Sequence, residues 1–236
     1  MADIVKAIEK EKEYLSYRAK NEEPFHLIDA VKECDFESLA EYFNAKADYL
    51  FDKLNFAYGE TPPNEAIANI FLLMGTKETK VLFVPSKETF VFSGTSKAFN
   101  EEYCKANNIP IYPLYTGGGT IVSTEGDFSL VICYPENTSA DIGFILGKLK
   151  EIFDTTMPNV TISGNDILLN GMKICGSVMY RQNGMMCFAA HFSFKDNSEL
   201  IEQICGVSGS VKTPTTIDGF TVDMFKKAVR EWLRIQ

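Results

Sequence analysis

The spacing of apolar residues changes character along the chain. From Phe36 to Leu54 they recur at steps of three and four (Phe36, Leu39, Phe43, Ala47, Leu50, Phe51, Leu54), the pattern of one helix face. Residues 1–60 therefore read as helical, with Asp35 as the N-cap of this stripe. The run YGETPPNE (58–65) breaks the pattern, and a short helix is expected from Asn64 to Met74. Beyond residue 80 the segments shorten and strand-forming residues take over. KVLFVPSKETFVFSG (80–94) predicts two strands about a Pro-Ser-Lys-Glu turn, and residues 99–107 predict a helix. IPIYPLY (109–115) is extended, and Pro113 confines it to an edge or an irregular strand. FSLVICY (128–134) predicts a buried strand, and Thr138 opens an amphipathic helix that carries Ile145, Leu149 and Phe153. NVTIS, DILLNGMKICGSVMY and MMCFAAHFSF form a strand series, followed by short helices near 197–204 and 221–234. Interspersed strands and helices with tight turns predict an α+β fold, a central mixed, largely antiparallel sheet flanked by helices.

DILLNGMKIC (166–175) carries the sharpest local signal. Asn170-Gly171 between apolar runs specifies a two-residue type I′ turn. Regular pairing then sets Leu168 opposite Lys173, Ile167 opposite Ile174 and Asp166 opposite Cys175. Asp166, Leu168, Lys173 and Cys175 thus share one face. An aspartate and a lysine so placed are either a surface ion pair or an anion site, with the ammonium on phosphate and the carboxylate on magnesium.

Composition narrows the chemistry. The chain has 236 residues, is 45% apolar and has a net charge of −9, so a packed core is expected and a nucleic-acid backbone is not an expected partner. No apolar run approaches a membrane span or a secretory leader, which predicts a cytoplasmic protein whose six cysteines are reduced. The cysteines form no CxxC pair, and there are two histidines, His26 and His191. A structural zinc site is not expected, and any Ser-His-Asp hydrolase must rest on one of those two. Gly117-Gly118-Gly119 can bring backbone close to a ligand, yet it matches neither a P-loop nor a dinucleotide fingerprint.

Together, IPIYPLYTGGGTIVSTEGDFSLVI and GNDILLNGMKICGSVMYRQNGMMCFAAHFSF resemble the lipoate/biotin protein ligase superfamily, and the lipoate–protein ligases most. The resemblance runs from about Pro63 to Thr213 and is sharpest at 109–123 and 164–194. It implies a class II synthetase-like ligase or transferase domain over residues 61–236, with 1–60 as a helical N-terminal extension. It implies that ATP and Mg2+ activate lipoate or octanoate to an acyl-adenylate, whose acyl group passes to a lysine of a lipoyl-acceptor carrier domain. Thr116, Gly117, Gly118 and Gly119 match the family's glycine loop around the acyl and phosphate groups. Asn165 and Asp166 match the pair beside the adenylate and metal. Lys173 matches the lysine on the acyl carbonyl and α-phosphate, where its charge is stabilising. Gly176 and Ser177 match small residues that let the backbone pass the ligand, and His191 matches a His-Gly step.

The chain departs from that pattern at named positions. Pro113 and Leu114 stand where typical ligases have two arginines, the residues best suited to gripping phosphate, and Ser123-Thr124 stand where a His-Asp step is usual. In the octanoyltransferases of the same fold a cysteine forms a thioester without ATP. Cys205, 32 positions after Lys173, stands where that cysteine would be, with Ile204 in place of its usual proline. Three readings stay open: a ligase, an ATP-independent transferase using Cys205 and Lys173, and a binding module of the same fold without chemistry.

Overall fold

The computed structural model describes residues 3–18, 27–42, 45–46, 58–77, 80–94, 99–114, 118–136, 141–206 and 220–232. Two compact units are present, Met1–Asn55 and Phe56–Gln236. In the first, α1 (Ile4–Arg18) and α2 (Leu27–Lys32) bury Ala7, Val31, Phe36 and Tyr42 in a common core. Tyr42 Oη and Lys46 Nζ both donate to the buried Glu11 carboxylate, at 2.9 and 2.5 Å. Asp35 does not cap the next helical turn. It follows α2 at φ 65°, and Ser38 takes the cap, its Oγ accepting from Glu41 N at 3.1 Å. Glu41 returns a bond, accepting from Glu37 N at 2.9 Å. Ser38-x-x-Glu41 is the capping-box sequence, a stronger signal than Asp35. Phe43, Ala47, Leu50, Phe51 and Leu54 of the expected stripe lie outside the described residues.

The second unit is built on a seven-stranded sheet. Its strands are β1 (Tyr58–Glu60), β2 (Lys80–Pro85), β6 (Phe128–Pro135), β7 (Val160–Ser163), β8 (Asp166–Leu169), β9 (Met172–Gln182) and β10 (Met185–Phe192), in the order β1-β2-β6-β10-β9-β8-β7. Among the described strands of this sheet, only the β1–β2 pair is parallel. A second sheet has the order β4-β3-β5, from β3 (Phe90–Ser93), β4 (Ile111–Pro113) and β5 (Ile121–Ser123). Pro113 is on an edge strand, where its missing N–H costs no ladder bond. The two strands expected about Pro-Ser-Lys-Glu are β2 and β3, but they enter different sheets instead of pairing. Tyr58–Glu60, part of the expected breaker, forms a short edge strand.

Among the described residues five helices complete this unit: α3 (Pro63–Thr76), α4 (Glu101–Ala106), α5 (Ile142–Asp154), α6 (Ser198–Cys205) and α7 (Val222–Trp232). Pro63 opens α3, where a missing N–H is tolerated. Helix α5 starts at Ile142, with Asp141 Oδ1 accepting from Phe144 N at 2.7 Å; Thr138, the expected start, is outside the described residues. Both faces of the large sheet are covered. On one, Phe128 and Phe192 pack on Phe153 of α5 and Phe225 of α7, with the Phe192–Phe225 ring centroids 4.5 Å apart. On the other, Leu82, Val84, Val131 and Cys187 meet α3 and the small sheet. Among the described residues no helix is long and apolar enough to cross a membrane.

Candidate functional site

The Asn170-Gly171 turn forms as expected, both residues at positive φ (51° and 81°). The pairing beyond it does not follow the regular register. Leu168 faces Lys173, but a β-bulge then sets Ile167 opposite Cys175 and Asp166 opposite Gly176. Ile174 and Cys175 are consecutive and both buried, which requires a sheet covered on both faces. The bulge turns Cys175 away from the face it was expected to share with Lys173, and burial pushes its thiol pKa up. In exchange, Lys173 and Gly176 share one face. The Lys173 Nζ lies 3.1 Å from Asp166 Oδ1 and 2.7 Å from where a Gly176 Cβ would stand. Any larger residue at 176 displaces the ammonium.

Strand register extends this point into a row. Asp166 pairs with Gly176, Gly176 with His191, His191 with Ser129, and Ser129 with Val84. Partners across a ladder point to the same face. One line across β8, β9, β10, β6 and β2 therefore carries polar side chains at three of its five positions. The next line on that face, Val178, Ala189, Val131 and Leu82, is apolar. Above the two lines lies a cavity of about 620 Å³, roofed by α3, the small sheet and α6. That volume is in the range that holds a small organic ligand, about 300–1,000 Å³. Its floor has a polar end and an apolar end, which suits a molecule with a charged head and a hydrocarbon tail.

Gly118 and Gly119 line the cavity, with Gly118 at φ 93°, while Thr116 and Gly117 lie outside the described residues. The loop passes so close to Gly94, at the end of β3, that a methyl on Gly94 would overlap the Gly118 and Gly119 carbonyl oxygens. Asn165 is exposed in the β7–β8 turn, and its carbonyl accepts from both Ser177 N (2.9 Å) and Ser177 Oγ (2.8 Å). Cys205, at the end of α6, lines the same cavity. Lys173, Asp166, Gly176, Ser177, His191, Cys205 and two of the three glycines thus surround one space.

Three cavity-related residues escaped the sequence reading. Asp127 is buried and accepts from Thr124 N (2.8 Å), Thr124 Oγ1 (3.0 Å), Ser193 Oγ (3.1 Å) and Phe194 N (3.3 Å). Burial opposes its charge, but His191 and the Thr124 donors outweigh burial and hold its pKa below the usual carboxylate value. His191 sets Nε2 3.7 Å from Asp127 Oδ2 and Nδ1 2.9 Å from Ser129 Oγ. Asn197, 8% exposed, has both side-chain polar atoms buried without a partner. Ser129 did leave a signal, as a hydroxyl inside the apolar run FSLVICY. Among the described residues no group of three His, Cys, Asp or Glu side chains is placed to hold a metal ion.

The α+β architecture with its large antiparallel sheet and flanking helices is the class II synthetase-like fold of lipoate ligases. A family model, the lipoyl protein ligase A/B catalytic domain, matches residues 70–232, and the chain belongs to that family. Among solved structures, it is similar to P. falciparum LipL1 in complex with lipoate, at 13% identity and a TM-score of 0.60, covering 76% of this chain and 63% of that one. It is similar to a lipoate-protein ligase A bound with ATP, at 16% identity and a TM-score of 0.60, covering 76% and 85% of the two chains. A third is the bipartite lipoate protein ligase of Thermoplasma acidophilum, from a structural study that includes its E2 lipoyl domain. The identity is 16% and the TM-score 0.62, covering 78% and 86%. No curated protein matches.

Proposed function

We propose that the chain is a lipoate–protein-ligase-like acyltransferase, which attaches lipoate or octanoate to a lysine of a carrier domain through an acyl-adenylate. One observation carries the reading: the Lys173 ammonium is held over Gly176 by Asp166, at the polar end of a cavity whose other end is apolar. The apolar row takes the acyl chain and the polar row takes its carboxylate. Lys173 stabilises the negative charge that develops when the carboxylate is activated and when the acyl group leaves. Gly118 and Gly119 bring backbone against the ligand, and Ser177 fixes the Asn165 turn beside Asp166. His191 borders the acyl head. The ATP-bound and lipoate-bound relatives support this choice of substrates.

ATP, as a substrate, supplies the adenylyl group and leaves pyrophosphate. Lys173 is the cavity-lining cation that meets its phosphate, with no arginine among the described lining residues. Asp166 is a single carboxylate. It fits Mg2+ that arrives on phosphate and retains most of its waters, since magnesium needs only one or two protein carboxylates there. The presence of Cys205 in the cavity wall favours one second reading: transfer from an acyl-carrier donor through a Cys205 thioester, without ATP.

The test is the intact mass of a lipoyl-acceptor domain after incubation with the protein, lipoate and MgATP. A lipoyl mass gain that falls by about 100-fold or more in Lys173→Ala supports the ligase. Gain only from an octanoyl-carrier donor, lost in Cys205→Ser, selects the transferase. No gain from any donor leaves a binding module and ends both catalytic readings.

A further inference from the structure

Of the two histidines, His191 has a hydroxyl on one ring nitrogen and a carboxylate facing the other. The chain Ser129 Oγ···His191 Nδ1 (2.9 Å), His191 Nε2···Asp127 Oδ2 (3.7 Å) is the order nucleophile, base, carboxylate. We propose that Ser129, His191 and Asp127 form an acyl-ester-cleaving array in the cavity, a hydrolytic activity separate from acyl transfer through Lys173.

Four observations support the assignment. Ser129 and His191 are direct partners on neighbouring strands, so backbone pairing fixes their contact. Four donors hold the Asp127 carboxylate in place, with Oδ2 3.7 Å from His191 Nε2. The nucleophile and base both line the cavity, whereas the Asp127 side chain is fully buried behind them. Finally, the cavity lining includes Asn197, whose Nδ2 and Oδ1 are buried and unpartnered, as is His191 Nε2 with respect to hydrogen bonds. A network present only to satisfy buried groups would not leave these atoms unpaired, because a buried polar atom without a partner is costly. Asn197 stands at the N-cap position of α6 without making a cap bond, so its amide is available to a developing oxyanion.

The substrate class follows from the floor. Val131, two residues from Ser129 on the same face, begins the apolar row. An ester or thioester of a medium-length hydrocarbon acid places its chain there and its carbonyl over Ser129. With the imidazole proton on Nε2 facing Asp127, Nδ1 accepts the Ser129 proton as Oγ bonds to the carbonyl carbon. The tetrahedral species collapses, the bond to the alcohol or thiol breaks, and His191 returns the proton to that leaving group. Water then attacks the acyl-serine ester, giving its proton to His191. The acid departs as Ser129 Oγ takes the proton back. The balance is acyl ester plus water to acid plus alcohol, with no redox step.

The full-length protein is incubated with an alkyl fluorophosphonate, and adducts are located by intact mass and peptide mapping. The expected result is a single adduct on Ser129, absent in Ser129→Ala. Labelling should slow by about 100-fold or more in His191→Gln and Asp127→Asn, each checked for a native circular dichroism spectrum. Hydrolysis of p-nitrophenyl octanoate should fall in parallel. No adduct on the wild-type protein overturns the proposal, as does an adduct whose rate is unchanged in folded His191→Gln. If Ser129→Ala does not fold, the His191→Gln rate decides. Neither assay contains ATP, lipoate or acceptor domain, so failure here and failure of lipoyl transfer are separate results.

Discussion

Lys173 and Gly176 depend on each other: the ammonium occupies the space that a Cβ at 176 would fill. Both were legible in the sequence because they are three residues apart, beside a turn whose chemistry is local. Asp127 was not, because two of its donors, Ser193 and Phe194, are 66 and 67 positions away. Its depressed pKa has a consequence for stability. A carboxylate with a folded-state pKa below its unfolded value of about 3.9 stabilises the fold above that pH, and loses the contribution as pH falls through the folded value. Asp127→Asn should therefore lower stability at pH 7, by roughly 1–3 kcal/mol. The gap from wild type should narrow below about pH 4. Urea unfolding from pH 2.5 to 7 checks this, and a gap that is constant with pH contradicts it.

At the scale of elements, the β8–β9 hairpin shows how far local signals reach. Asn170-Gly171 determines the turn and the two pairs next to it. The bulge beyond them follows from burial of Ile174 and Cys175 between two covered faces, which the hairpin alone does not contain. Deleting Ile174, the extra residue, should remove the bulge and leave the pairs on either side in place, with Leu168 opposite Lys173, Ile167 opposite Cys175 and Asp166 opposite Gly176. Lys173 and Gly176 then stay on one face, so lipoyl transfer should remain well above the level of Lys173→Ala while loss of the buried Ile174 side chain lowers the melting temperature; transfer assays and a thermal scan measure the two. The caps tell the same story on a smaller scale. Ser38 and Asp141 hold their helix starts through bonds within four residues, and such signals are readable in sequence once the competing candidates are compared.

Over the whole second unit, the cavity depends on two adjacent lines of side chains, one polar and one apolar, with α3, α6 and the small sheet above them. Ala189 is on the apolar line and lines the cavity. Ala189→Leu should fill the tail end, weakening octanoate binding by about 10-fold or more and butyrate binding much less. The melting temperature should stay within a few degrees of wild type, since the added methyls enter open space. Calorimetric titration with both acids, plus a thermal scan, measures this; equal loss for both acids would place the tail elsewhere. The sequence by itself determined the alternation of strands and helices, the type I′ turn, the edge placement of Pro113 and the Lys173–Asp166 pairing, because each rests on neighbours within a few residues. It also held the family resemblance in its glycine and lysine motifs. Tertiary structure alone decided which strands pair beyond that hairpin, where the ladder bulges, and that Ser129, His191 and Asp127 meet. Those outcomes depend on burying both faces of one sheet, a constraint that no stretch of the chain carries alone.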